Sequence, residues 1–143
     1  MAQPPSILVV DDEPQLRMLV ARALAAEGYA VRTAEDGAQA LELVRTYQPD
    51  VIVLDLMLPV LDGWTFITRY RQVADAEIPI VVVSALMDSA VAERLQRLGV
   101  RFCLAKPFDL GALLDCVAEA LATTRPPPPG SQPDTGQAER GDG

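Results

Sequence analysis

The chain has 143 residues, half of them apolar, enough for one compact core and little more. Its 20 acidic residues outnumber 12 basic ones for a net charge of -8, which gives no electrostatic support to a surface that tracks nucleic-acid phosphates, so no nucleic-acid partner is expected. The absence of histidine excludes histidine-dependent triads, His-rich zinc sites and a phosphohistidine carrier, and with no signal-like start and no apolar run near the roughly eighteen residues of a membrane span, the expected place is the cytoplasm.

After a short flexible lead over residues 1–5, Ile7-Leu8-Val9-Val10 is a continuous apolar run of the kind that forms a strand buried on both faces, and it leads directly into Asp11-Asp12-Glu13. Leu16, Leu19, Val20, Ala23 and Leu24 then recur at helical spacing behind Pro14, with Gly28 as a stop. A weaker run, Tyr29 to Thr33, fits a flanking strand, and Ala38, Leu41 and Val44 mark a second helix before Pro49. Val51-Ile52-Val53-Leu54 is a central strand ending at Asp55, followed by a helix on Phe66, Tyr70 and Val73. Ile80-Val81-Val82-Val83 ends at Ser84, and Val91, Leu95 and Leu98 mark a helix closed by Gly99. Phe102 to Ala105 is a second flanking strand, ending at Lys106, and Leu110, Leu113, Leu114, Val117 and Leu121 predict the last helix. Cys103 and Cys116 fall inside elements of an apparently intracellular chain and are expected as two buried thiols, not a disulfide. From Arg125 the composition turns to Pro126-Pro127-Pro128-Pro129-Gly130 and then to polar residues, so residues 125–143 are expected to be disordered and the folded domain to span 6–124.

Five strands and five helices in strict alternation predict an α/β fold with a doubly wound parallel sheet, whose ligands bind beyond the carboxyl ends of the strands. Those ends carry Asp11 and Asp12, Asp55, Ser84 and Lys106, the last being the only lysine beside eleven arginines. An ammonium is a point charge suited to one phosphoryl oxygen, where a guanidinium is a planar fork. Three converging carboxylates repel unless a cation offsets them, and hard oxygen ligands suit Mg2+. Each residue also has a plain structural role open to it: Asp11 and Glu13 as helix caps, Asp55 as a turn former, Ser84 as a loop hydroxyl. Capping accounts poorly for all of them together at one sheet edge.

With these residues in place, the stretch from Ser6 to Thr124 resembles the receiver domain of bacterial two-component response regulators. The resemblance rests on Leu8-Val9-Val10-Asp11-Asp12-Glu13, Asp55-Leu56-Met57-Leu58-Pro59 with Asp62-Gly63-Trp64, Ser84-Ala85, and Lys106-Pro107-Phe108. It implies a CheY-like, flavodoxin-like sheet of order 2-1-3-4-5. It also implies Asp55 as phosphoacceptor, Mg2+ held by Asp11, Asp12, Asp55 and the main-chain carbonyl of Met57, and phosphoryl contacts from Ser84 and Lys106. The implied donor is a sensor histidine kinase or histidine phosphotransfer protein, and the implied output is a downstream protein target. On this basis the chain is expected to be a phosphoacceptor signalling protein and not an enzyme, acting as a stand-alone receiver or relay intermediate. The alternatives are a fragment of a larger regulator or hybrid kinase, or a pseudo-receiver that is never phosphorylated.

Two sequence details qualify the resemblance. The family's swinging aromatic, three residues before the lysine, is replaced by Cys103, and strand alternation points the adjacent Phe102 to the other face unless a bulge intervenes. Ser84 and Cys103 are therefore the candidate switch residues. A phosphatase of the haloacid dehalogenase type would place a second Asp two residues after the nucleophile, where this chain has Met57.

Overall fold

The computed structural model describes residues 3–73 and 78–124. The apolar runs form five strands, β1 (Ser6–Val10), β2 (Ala30–Ala34), β3 (Val51–Asp55), β4 (Ile80–Ser84) and β5 (Phe102–Ala105). Between and after them lie α1 (Pro14–Ala26), α2 (Gly37–Leu43), α3 (Gly63–Val73), α4 (Ser89–Arg97) and α5 (Leu110–Thr124). All strand pairs are parallel, in the order β2-β1-β3-β4-β5. The doubly wound parallel sheet expected from the alternation is present, in the flavodoxin-like order that the resemblance implies, with β2 and β5 as the edges.

Residue parity divides the core into two layers. Ile7, Val9, Val51, Val53, Val81 and Val83 face α1 and α5, where Val20, Leu24, Leu113 and Val117 are buried against them. Leu8, Val10, Ile52, Leu54, Ile80 and Val82 face the other way, onto Ala40 of α2, Phe66, Ile67 and Tyr70 of α3, and Leu95 of α4. Because β1, β3 and β4 are covered on both faces, their sequence shows continuous apolar runs in place of alternation.

Helix boundaries follow from local hydrogen bonding. Asp36 and Asp88 cap α2 and α4 by accepting from the main-chain N–H of Gln39 and Val91, at 2.7 and 2.9 Å. At the far ends of α1 and α4, paired hydrogen bonds back to Ala25 and Leu24, and to Gln96 and Leu95, close the helices at Gly28 and Gly99. The α2 face follows the sequence pattern at Leu41 and Val44, which pack on the core, and differs at its start: Ala38 is exposed, and Gly37 and Ala40 point inward. Alanine is too small to define a face by periodicity; the Asp36 cap and the close seat of Gly37 set the rotation. The amide of Gly37 donates to Leu61 O at 3.1 Å, and a Cβ there would collide with that carbonyl.

The expected disordered tail, residues 125–143, lies outside the described residues. Of the lead expected to be flexible, Pro5 accepts a hydrogen bond from Ala30 N at 2.9 Å. Among the described residues no helix is long and apolar enough to cross a membrane. Both cysteines are free thiols, and both are half-buried where full burial is expected from the sequence.

Candidate functional site

The carboxyl ends of β1, β3, β4 and β5 bring Asp11, Asp55, Ser84 and Lys106 to one corner. Asp11 extends the β1–β2 ladder by one bond, donating from its N–H to Ala34 O at 3.2 Å. Its Oδ1 accepts from Glu13 N at 2.9 Å, which turns the chain into α1, and its main-chain carbonyl accepts from Arg17 Nη1 at 2.8 Å. Asp55 is the last residue of β3, and its Oδ1 accepts from Met57 N at 3.0 Å. Ser84 ends β4; its Oγ accepts from Leu86 N at 3.2 Å, and its main-chain carbonyl accepts from Lys106 N at 2.9 Å. The structural roles open to Asp11, Asp55 and Ser84 are thus filled, and in each of these two aspartates they use only Oδ1, whereas Glu13, the N-cap of α1, makes no side-chain capping bond.

The second oxygen of each aspartate meets the same cation. Lys106 Nζ lies 2.9 Å from Asp11 Oδ2, 2.9 Å from Asp55 Oδ2 and 3.6 Å from Glu13 Oε1. The Lys106–Pro107 peptide is cis. Burial pushes the Asp55 carboxyl above its ordinary range, and the hydrogen bonds from Lys106 and Met57 offset only part of that rise. For Lys106, burial works against the charge, but its bonds to Asp55 and Asp11 outweigh it and hold the pKa above the usual lysine value.

One lysine does not balance the corner. Asp11, Asp12 and Asp55 each offer an oxygen within 4.8 Å of the others, and Asp12 is exposed with no ion-pair partner among the described residues. The Met57 carbonyl accepts no hydrogen bond among them either. Three hard carboxylates with a free carbonyl nearby form a donor set suited to a small divalent cation such as Mg2+. The buried Ser84 hydroxyl has its lone pair engaged by Leu86 N, and its proton has no acceptor among the described residues. That corner can therefore bind an oxyanion through one ammonium, one hydroxyl and a cation.

Met57 and Leu86 flank the mouth, 52% and 57% exposed. Cys103 packs on the α4 side of the sheet and Phe102 on the α5 side, and the β4–β5 register runs unbroken from Val81↔Phe102 to Ser84↔Ala105. No bulge brings the Phe102 ring to the Cys103 face.

Several supporting residues escape sequence reasoning. Arg17 is one helical turn past Glu13, and nothing in its spacing announces a bond to a strand-end carbonyl. Gly63 donates to Leu56 O at 2.9 Å, and a Cβ there would sit 2.6 Å from both Asp55 O and Leu56 Cα. Val60 has φ 70° while 82% exposed, a left-handed conformation that a β-branched residue rarely adopts. Gly63 falls in the Asp62-Gly63-Trp64 stretch that carries the resemblance, but nothing in the sequence shows the close approach to Asp55 that excludes a side chain there.

The sequence matches the family described as response regulator receiver domain over residues 7–118. It is 40% identical over 125 residues to the response regulator MprA of Mycobacterium sp. strain KMS, covering 86% of this chain and 53% of that protein. It is likewise 40% identical over 122 residues to MprA of Mycobacterium leprae, covering 84% and 52%. The chain spans about half the length of these curated relatives. Among solved structures, the Francisella response regulator 1452 receiver domain matches with a TM-score of 0.80 and 30% identity, covering 85% of this chain and 99% of that one. The receiver domain of NtrX from Brucella abortus matches with a TM-score of 0.76 and 34% identity, covering 82% and 99%.

Proposed function

The chain belongs to the response regulator receiver domain family of two-component systems, and from that premise we propose that Asp55 accepts a phosphoryl group from a partner phosphohistidine. The partner is a sensor histidine kinase or histidine phosphotransfer protein, since this chain has no histidine of its own. The observation that carries the proposal is the single lysine held 2.9 Å from both Asp55 and Asp11 at the strand ends.

In the transfer, a carboxylate oxygen of Asp55 bonds to phosphorus as the bond between phosphorus and the donor imidazole nitrogen breaks. The electron pair of that bond returns to the nitrogen, which takes up a proton, and the product is an aspartyl phosphate. Lys106 exchanges one carboxylate contact for a phosphoryl oxygen, and Ser84 donates its unused proton to another. Asp11, Asp12, Asp55 and the Met57 carbonyl would hold Mg2+, which supplies charge neutralisation for the oxygens of the transferring group. The protein is here a phosphoacceptor that assists its own modification, and not an enzyme with turnover.

A donor delivering phosphorus to Asp55 must cover the mouth of the corner. An apolar groove of about 430 Å³, lined by Leu16, Leu19, Pro107, Phe108 and Leu110, opens at Lys106 and Glu13 and supplies contact area for it. With a net charge of -8, proteins suit this chain as partners better than nucleic acids do, for the output as well as the input.

The test is incubation with a small acyl phosphate and Mg2+, followed by intact-mass measurement. The wild type should gain one phosphate and Asp55→Asn none. Equal phosphate uptake by that variant would reject Asp55 as acceptor.

A further inference from the structure

Trp64, the only tryptophan, follows directly on Gly63, and its ring lies beneath the guanidinium of Arg94 on α4, 3.9 Å from atom to ring centroid. We infer that this stack is the contact by which the loop carrying Asp55 sets the position of α4. The inference rests on Asp55 being the phosphoacceptor.

The chain of contacts has little slack. Gly63 sits so close to Asp55 O and Leu56 Cα that a methyl group would not fit, and its N–H is bonded to Leu56 O. The backbone at Asp55 and Leu56 and the first turn of α3 therefore move together, since close-packed groups transmit displacement in place of absorbing it. Asp62 stiffens that turn by accepting from Thr65 N at 2.8 Å. Trp64 is the next side chain along, half-buried against the same core layer as Met87, Val91 and Leu95.

On the α4 side, Arg94 is exposed and pairs with no carboxylate among the described residues, so its guanidinium has the indole face in place of an ion pair there. A planar guanidinium over an indole is held by charge as well as by area, and it loosens when the ring shifts beneath it. Residues 85–88 join Ser84 to α4 and reach its first turn, whereas Arg94 lies near its far end; the route through β5 has only the Cys103 thiol to offer, a group with little volume and a weak donor.

The test uses the full chain with Mg2+ and beryllium fluoride as phosphate mimic. In the wild type, amide resonances of Ser89 to Arg97 should shift and Trp64 fluorescence should change on addition of the mimic. In Arg94→Met, which keeps the stem and removes the charge, the α4 shifts should fall to less than half. Shifts at Met57 and Ser84, and phosphate uptake by intact mass, should stay as in the wild type, and Arg94→Lys should restore part of the α4 response. Undiminished α4 shifts in Arg94→Met would overturn the inference while leaving the phosphoacceptor intact. If the wild type takes up neither phosphate nor mimic, the functional proposal fails first and the inference falls with it.

Discussion

The corner at the ends of β1, β3 and β5 and the edge formed by β5 and α4 are built to different tolerances. At the corner Asp11 and Asp55 are each fixed at both oxygens: Oδ1 by a main-chain N–H two residues on, Oδ2 by Lys106. At the edge, the half-buried Cys103 thiol makes no hydrogen bond among the described residues, and α4 meets the helix behind the acid loop through apolar packing around Leu95 and one exposed arginine over the Trp64 ring. Geometry that decides reactivity is thus determined several times over by the interior of the sheet, whereas geometry that decides output hangs on a few surface contacts. Changes at the corner should abolish function or unfold the protein, and changes at the edge should tune its amplitude.

The largest effect expected at the corner, after loss of Asp55 itself, is on the metal. Asp12 is exposed and has no ion-pair partner among the described residues, so Asp12→Ala should leave the fold intact and relieve like-charge repulsion while weakening Mg2+ binding about tenfold or more. Titration followed by Trp64 fluorescence measures it; an unchanged affinity would remove Asp12 from the ligand set.

Steric tightness can be broken next. Gly63→Ala pushes a methyl group against two backbone atoms that cannot rotate away, and should cost about 1–3 kcal/mol in urea unfolding as well as slowing phosphorylation. The contrast is Gly111→Ala in α5, where the nearest atom is a flexible Asp109 oxygen at 3.4 Å and the change should stabilise by about 0.5 kcal/mol. Equal effects of the two would mean that the Asp55 loop is not tightly held.

Persistence of the modified state sharpens the comparison from the mouth of the site. Hydrolysis of the acyl phosphate needs a positioned water, and neither Met57 nor Leu86 can hold one by a strong hydrogen bond. Met57→Asn and Leu86→Glu should each speed decay in a phosphate-release time course, by less than the roughly hundredfold of a fully positioned general base; unchanged decay in both would remove these positions from control of the water.

At the edge, where the smallest effects are expected, Cys103→Tyr supplies the ring that the family pattern places there. Amide shifts along Val91 to Leu98 on addition of a phosphate mimic should grow modestly relative to the wild type, since the thiol has neither the volume nor the donor to repack that surface. Shifts already as large in the unmodified protein would show that the ring is dispensable.

How much of this is readable from the amino-acid order depends on the range of the interaction. Strand ends were plain in the sequence because Ile7–Val10, Val51–Leu54 and Ile80–Val83 are buried on both faces, and burial writes itself into composition. The convergence of Asp11, Asp55 and Lys106 followed from topology alone. Contacts set by the distance between elements left no such trace: the bond from Arg17 to Asp11 O, the seats of Gly37 and Gly63, and the Trp64–Arg94 stack all join elements whose spacing periodicity does not encode. On α2 the periodicity identifies Leu41 and Val44, which pack on the core, but not the exposed Ala38, since Gly37 and Ala40 carry too little apolar area to signal the inward positions.

The bridging ammonium of Lys106 is only 15% exposed and its two buried partners less, so mobile ions of the solvent scarcely reach between them. The proposed encounter with a donor protein, by contrast, would bring it past the exposed carboxylates of Asp12 and Glu13, within reach of the ionic atmosphere. Added monovalent salt therefore acts on the two stages unequally: it alters how often the partners meet and leaves almost untouched what happens once phosphorus is in place.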